Sequence, residues 1–237
     1  MVHSTGGLQS AVVMPMLCQA FVCIAALERL MSVLEVPIIL KLAPELAGIL
    51  LSPEEFDAVE ECDELYNYEL VHGVLIVAPP PAIGERGPND RLGYLLRYYQ
   101  EHHPQGAALD LTVPEHLIRT PDSRRRADRV IWTGLGRLPN ARQDQPTIAI
   151  EFVSVSKRDF QRDYIAKRDE YLRAGVQEYW IIDRFRRRMT VVRGGADQVT
   201  EIVVTEQDTY TTPLLPGFEL PLTQLLAVAD ALEAAER

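Results

Sequence analysis

The sequence predicts an α/β domain with a central mixed β-sheet flanked by helices, and three observations lead there. Short β-rich segments alternate with segments of helical period along the chain. The composition, 47% hydrophobic and 24% charged, belongs to a folded protein with a core rather than to a disordered or fibrous chain. The 237 residues, without internal repeats or low-complexity tracts, suit one domain.

Residues 1–30 are expected to be an extension outside the fold and residues 31–237 the single domain, since Met31-Ser32-Val33 could itself begin a chain. The apolar run Ala11–Leu27 covers 17 residues and is broken by Pro15 and Gln19. That is short of the ~20 a membrane span needs. Residues 1–10 also lack the Lys or Arg of a signal segment, so no membrane partner is expected. Cys18, Cys23 and Cys62 form no bridge framework and no zinc pattern, and the expected compartment is reducing and cytoplasmic.

Ser52-Pro53-Glu54-Glu55 combines an N-cap, a proline at the first helical position and a glutamate three residues after the cap, which predicts a helix to about Cys62. Tyr68–Ala78 reads as a strand or a tight hairpin turning at Gly73, and Pro79-Pro80-Pro81 stops it. Arg91, Leu92, Leu95, Leu96, Tyr98 and Tyr99 follow a helical period over residues 88–103. Three short β signals follow at Ala107–Val113, His116–Ile118 and Ala127–Trp132. Thr147–Val153 is an apolar strand holding one carboxylate, and residues 158–174 are helical up to a C-cap at Gly175. Glu178–Asp183 and Met189–Arg193 flank an Arg-rich turn, Val199–Val204 adds a strand, and Leu222–Ala235 is a terminal helix.

The formal charge is -10, which argues against coating nucleic acid through a general positive field. The excess is local. Between Lys41 and Arg86 lie ten acids and no Lys or Arg, and the rest of the chain is balanced. Much of this block is expected to form one solvated helix face.

Glu151 is the most informative residue. A carboxylate inside a run as apolar as Thr147–Val153 costs several kcal/mol unless it is paired, neutralised or metal-bound. Asp128 opens the preceding β segment, and adjacent antiparallel strands would bring both acids to one end of the sheet. Two such carboxylates repel unless a cation lies between them, and oxygen ligands suit magnesium. On the following helix Phe160, Tyr164, Lys167 and Tyr171 share one face, so Lys167 is expected to point inward. There it could orient water or neutralise a phosphate, or it could be a structural ion pair with Glu151. Glu69 could supply a third carboxylate or be a surface acid. Arg124, Arg125 and Arg126, and Arg184 and Arg186 to Arg188, are phosphate grips or solvated turn residues. The five histidines form no metal or triad pattern, and nucleotide-binding and serine-hydrolase motifs are absent.

Tyr68-Glu69-Leu70-Val71-His72-Gly73, Asp128 before an apolar strand, Ile150-Glu151-Phe152-Val153-Ser154, Lys167 with Tyr171, and Gly175-Val176-Gln177-Glu178-Tyr179-Trp180-Ile181-Ile182-Asp183 stand in order. Together they resemble the Uma2 family of restriction-endonuclease-like proteins, within the PD-(D/E)XK nuclease superfamily, from about Leu51 to Leu220. The resemblance implies a restriction-endonuclease-like core and a metal-dependent endonuclease acting on DNA phosphodiesters. It further implies magnesium, or manganese in its place, held by Asp128 and Glu151, with Lys167 as catalytic lysine and Glu69 as supporting acid. Val153 stands where the superfamily usually has its lysine, and members of the family carry theirs on the following helix, as Lys167 would be. Two positions depart from the family pattern: Ala127 stands where a proline precedes the first acid, and Ser154-Val155-Ser156 replaces Ser-Pro-Ser. Pro121-Asp122 is a literal match upstream, but Ser and three Arg follow it, so Asp128 is the preferred acid. A homodimer would suit cutting of both strands. The rival expectation is a catalytically silent nuclease-fold module that binds nucleic acid or regulates, and metal hydrolysis of another substrate is the third.

Overall fold

The computed structural model describes residues 41–154, 165–194 and 198–235, and the elements follow from where the chain can bury apolar side chains. β1 (Lys41–Leu42) leads to α1 (Pro53–Asp57) and then to β2 (Glu61–Cys62), which pairs with β1 in parallel. The capping box is present, with Ser52 Oγ accepting from Glu55 N and Glu55 Oε2 from Ser52 N. The helix nevertheless ends at Asp57 rather than near Cys62. Phe56 is its one buried side chain, and an acidic segment with so little to bury does not propagate. The acidic block is therefore not a single helix face: Asp57 pairs with Arg124 at 2.7 Å, and Glu69 and Glu85 line an open cleft.

β3 (Asn67–Val71) and β4 (Val74–Ala78) form the tight hairpin, turning through His72 and Gly73, both at positive φ. α2 (Ile83–His102) starts well before residue 88 and carries Pro88 inside it. A proline inside a helix removes one helical hydrogen bond. The helix tolerates it in its second turn, where Glu85 Oε2 already anchors the Ala82 amide.

β5 (Leu109–Arg119) and β6 (Arg124–Thr133) make one long hairpin. Two of the expected β signals are thus a single strand that passes through Pro114, and Asp128 lies within β6 instead of opening it. β5 pairs only with β6, so the missing Pro114 amide costs no ladder bond. β7 (Ile148–Phe152) is antiparallel to β6. The chain returns through α3 (Lys167–Arg173) to β8 (Glu178–Asp183), which is parallel to β7. Phe160 and Tyr164 of the expected helix face, with Val155 and Ser156, lie outside the described residues. β9 (Arg188–Gly194) and β10 (Val199–Thr205) complete the sheet, β11 (Thr209–Tyr210) pairs with β12 (Leu220–Pro221), and α4 (Leu222–Ala235) follows.

The sheet has eight strands in the order β10-β9-β8-β7-β6-β3-β4, with β5 also on β6. Alternation along the strands divides the core between its two faces. Ile131, Ile148, Ile150, Phe152, Trp180 and Ile182 pack under Leu92 and Leu96 of α2 and Leu222, Leu225 and Leu226 of α4. Val130, Trp132, Ala149, Val153, Tyr179 and Ile181 pack with Tyr171 of α3. At Gly93 a Cβ would stand 2.6 Å from Arg129 Nη2, so glycine is what lets that guanidinium lie beneath α2. Arg129 donates to Asn89 Oδ1, and Asn89 donates in turn to the Asp128 carbonyl, which locks the backbone at Asp128 to the helix. No described helix is long and apolar enough to cross a membrane.

Candidate active site

Strand register builds the site. β6 and β7 pair Arg129 with Ile150, the last pair of their ladder, and the next residues on the two strands are Asp128 and Glu151. Directly opposed residues project to the same face with Cβ atoms ~4.5–5.5 Å apart, and two like charges there repel. Glu151 alternates with Ala149 and Val153 and therefore faces α3, whose Lys167 and Tyr171 are one turn apart. Lys167 Nζ donates to Glu151 Oε1 at 2.8 Å, and the Tyr171 hydroxyl donates to the same oxygen at 3.0 Å. Lys167 also donates to the Arg126 carbonyl at 2.8 Å and lies 3.8 Å from Glu69 Oε1. Glu151 is 2% exposed and Lys167 1%.

Asp128 is half-buried, and its Oδ2 accepts the Phe152 amide at 2.6 Å. Burial, with the Glu151 charge beside it, pushes its carboxyl well above the usual range. Burial and the same charge also raise the Tyr171 phenol, which stays protonated as a donor. Asp128, Glu151, Lys167 and Glu69 all line one cleft of about 400 Å³, rimmed by Pro79-Pro80-Pro81. The Lys167–Glu151 ion pair forms part of the wall of that open cleft.

The arginines divide. Arg124 is held by Asp57 and by the Thr120 and Ser123 carbonyls. Arg125, 2% exposed, is clamped between Glu69 at 3.2 Å and Glu170 at 3.0 Å. Arg126 alone of the three lines the cleft, with Nη1 on the Glu115 carbonyl. Asp122 sits in the β5–β6 turn on the His72 ring at 2.7 Å, away from the cleft. In the other Arg-rich turn, Arg186 pairs with Asp183 and Arg187 with Glu206 and Asp230.

Sequence reasoning missed Glu115, a cleft acid whose proton burial holds more tightly than usual. Counting back from the turn at Thr120–Ser123 would have placed it beside Asp128. Splitting β5 into two signals hid that count.

Among the described residues no group of three or more His, Cys, Asp or Glu is arranged to hold a metal ion by itself. Magnesium commonly takes one or two protein carboxylates and completes its shell with water and substrate phosphate. Asp128 and Glu151, opposed across two strands and open to the cleft, fit that donor set.

A structure of a protein described as "a putative nuclease belonging to DUF820", from Anabaena variabilis ATCC 29413, is similar in fold. The TM-score is 0.60 at 17% identity, over 76% of this chain and 99% of that one. No curated protein matches significantly. The family model for Uma2, "Putative restriction endonuclease", matches residues 53–223 and takes in every cleft residue named above. The chain belongs to the Uma2 family.

Proposed function

We propose that the protein is a magnesium-dependent endonuclease that hydrolyses DNA phosphodiester bonds in this cleft. The observation that carries the reading is the convergence of Asp128, Glu151, Lys167 and Glu69 on one open cleft in a chain of this family. Asp128 and Glu151 hold the ion, which when bound supplies Lewis acidity to the scissile phosphate and to water. Tyr171 and Lys167 fix the Glu151 carboxylate from the same side. Lys167, held by Glu151 and the Arg126 carbonyl, places positive charge where the phosphate gains negative charge. Arg126 faces the same space and grips a neighbouring phosphate oxygen. Glu69, tied back by Arg125, balances Lys167 from the far side. In the reaction water attacks phosphorus, the bond to the leaving sugar oxygen breaks, and the proton lost by the water returns to that oxygen through solvent. Manganese is expected to substitute for magnesium.

The buried Lys167–Glu151 pair favours a second reading, a silent nuclease-fold module in which these groups are structural. Purified protein incubated with supercoiled and linear DNA and magnesium or manganese separates the two. The nuclease reading expects cleavage that Asp128→Asn and Glu151→Gln remove, together with ion uptake in calorimetry that both variants weaken. Intact DNA with no such uptake would leave the module.

A further inference from the structure

Arg184 stands one residue beyond the end of β8, and its guanidinium is placed unlike those around it. Arg186 and Arg187 close on carboxylates, and Arg124, Arg125 and Arg129 are each held by partners in the interior. The Arg184 guanidinium makes no hydrogen bond among the described residues. Its side chain is only 20% exposed, its Nε is buried without an acceptor, and its one ion pair there, with Glu233, spans 3.9 Å. A carboxylate at that distance accepts no hydrogen bond. Donors drawn out of water and left without acceptors destabilise a fold, and such a group calls for a partner that these residues do not supply.

Shape rather than hydrogen bonding holds the side chain. The guanidinium lies over the Phe185 ring, with Cζ 4.5 Å from the centroid, and against Gly84 in the first turn of α2. A Cβ on Gly84 would stand 2.9 Å from Nη1 and 3.1 Å from Cζ and Nη2, so only a glycine admits the cation at that seat. This is the positive end of a 20-residue helix, which favours anions and disfavours a cation. An anion shared by the guanidinium and the helix end would relieve both.

The seat adjoins the cleft. β7 and β8 run parallel with Phe152 opposite Ile182, so Arg184 lies two residues past the level at which Glu151 and Phe152 meet the cleft. Glu85 and Phe152 line both the cleft and a small apolar pocket that Arg184 borders. That pocket, about 10 Å³, has room for no more than a water, so a larger ligand would meet the edge of the guanidinium at the surface.

We infer that Arg184 is a phosphate-binding residue that grips the nucleic-acid backbone beyond the scissile phosphate and extends the cleft past the N-terminus of α2. The inference rests on the reading of the cleft as a nuclease site. A planar guanidinium held by packing, with its edge unbonded, presents paired N–H donors to two oxygens of one phosphate.

The test follows binding of a labelled DNA duplex to the full chain by fluorescence anisotropy, with calcium chloride as the divalent ion and potassium chloride varied. Arg184→Gln should weaken binding about tenfold and lower the slope of log affinity against log salt by about 1, the share of one phosphate contact. Arg187→Gln removes the same charge from the same turn, but that guanidinium is occupied by Glu206 and Asp230, so the slope should stay. Gly84→Ala displaces the Arg184 guanidinium while keeping its charge, and binding should weaken several-fold. Neither Arg184→Gln nor Gly84→Ala breaks a side-chain hydrogen bond among the described residues, so both should melt within about 2 °C of the unmodified protein.

Unchanged affinity and slope in Arg184→Gln overturn the inference, and so does an equal loss of slope in Arg187→Gln, which would mark a general field instead of a contact. Sodium phosphate in ion-free buffer separates the two sources of the anion. If it raises the melting temperature of the unmodified protein but not of Arg184→Gln, while DNA binding is the same in both, the seat takes free phosphate and the backbone contact is overturned. If the unmodified protein cleaves DNA with magnesium and Arg184→Gln binds and cleaves alike, only the Arg184 role fails. If the unmodified protein binds no DNA, the reading of the cleft fails and this inference with it.

Discussion

Glu151 and Glu178 lie on the neighbouring parallel strands β7 and β8, each 2% exposed, and they are opposite in kind. Glu178 faces α2 and α4 and is saturated. Its two oxygens accept from Trp180 Nε1, Arg193 Nε, the Tyr210 hydroxyl and Thr212 Oγ1, all at 2.8–2.9 Å. Glu151 faces α3, has Lys167 and Tyr171 on one oxygen, and lines a cleft. A buried carboxylate is therefore not a site by virtue of burial and charge. A closed network of donors makes it a structural rivet, and a place in a cleft wall beside a second acid makes it a candidate for chemistry.

Substitutions test that contrast. Glu178→Ala strands four donors in the core at once and is expected to cost about 3–5 kcal/mol in urea denaturation, with magnesium giving no rescue. Lys167→Met is expected to cost less, about 1.5–3 kcal/mol, because cleft water can reach Glu151. It should nevertheless reduce DNA cleavage about 100-fold or more. Equal losses of stability in the two variants would erase the distinction between them. Tyr171→Phe removes one hydrogen bond to Glu151 and leaves the lysine, so about 1 kcal/mol and a cleavage loss under tenfold are expected.

The effect that is smallest at neutral pH concerns a group that belongs to neither network. Burial, helped by the charges of Arg119 and Arg126, pushes the His116 imidazole down to about 4, and its ring stands edge-on to Trp132. The unfolded chain takes the proton near pH 6.5 and the folded one only near 4. His116 therefore contributes stability above pH 6.5 that is lost as the pH falls through that interval. His116→Phe should flatten the fall in melting temperature between pH 6.5 and pH 4, while the Glu178 and Lys167 variants keep it.

Much of this arrangement can be read along the chain, and the reasons differ by residue. Glu151 stands out because a charge inside Thr147–Val153 has a large desolvation cost, which local composition reveals. Lys167 could be aimed inward from helical spacing alone, and one turn of helix does put it and Tyr171 on the same oxygen. Gly73 marked the hairpin because the turn needs positive φ. Other features depended on distant partners. The short α1 reflects how little its acidic face has to bury. Arg124 and Arg125 look like phosphate grips until Asp57, Glu69 and Glu170, remote in sequence, are seen to hold them.

What the sequence by itself determined is the alternation of strands and helices, the acid inside an apolar strand and the lysine on the next helix, because each is set by neighbours within one or two turns of chain. Only the tertiary structure decided which charges meet. Register across three strands brings Glu115, Asp128 and Glu151 to one cleft, and packing around Glu178 closes one carboxylate network while the cleft leaves the other open. Coulomb energies depend on separations of a few ångströms and on access to water, and both are properties of the assembled sheet.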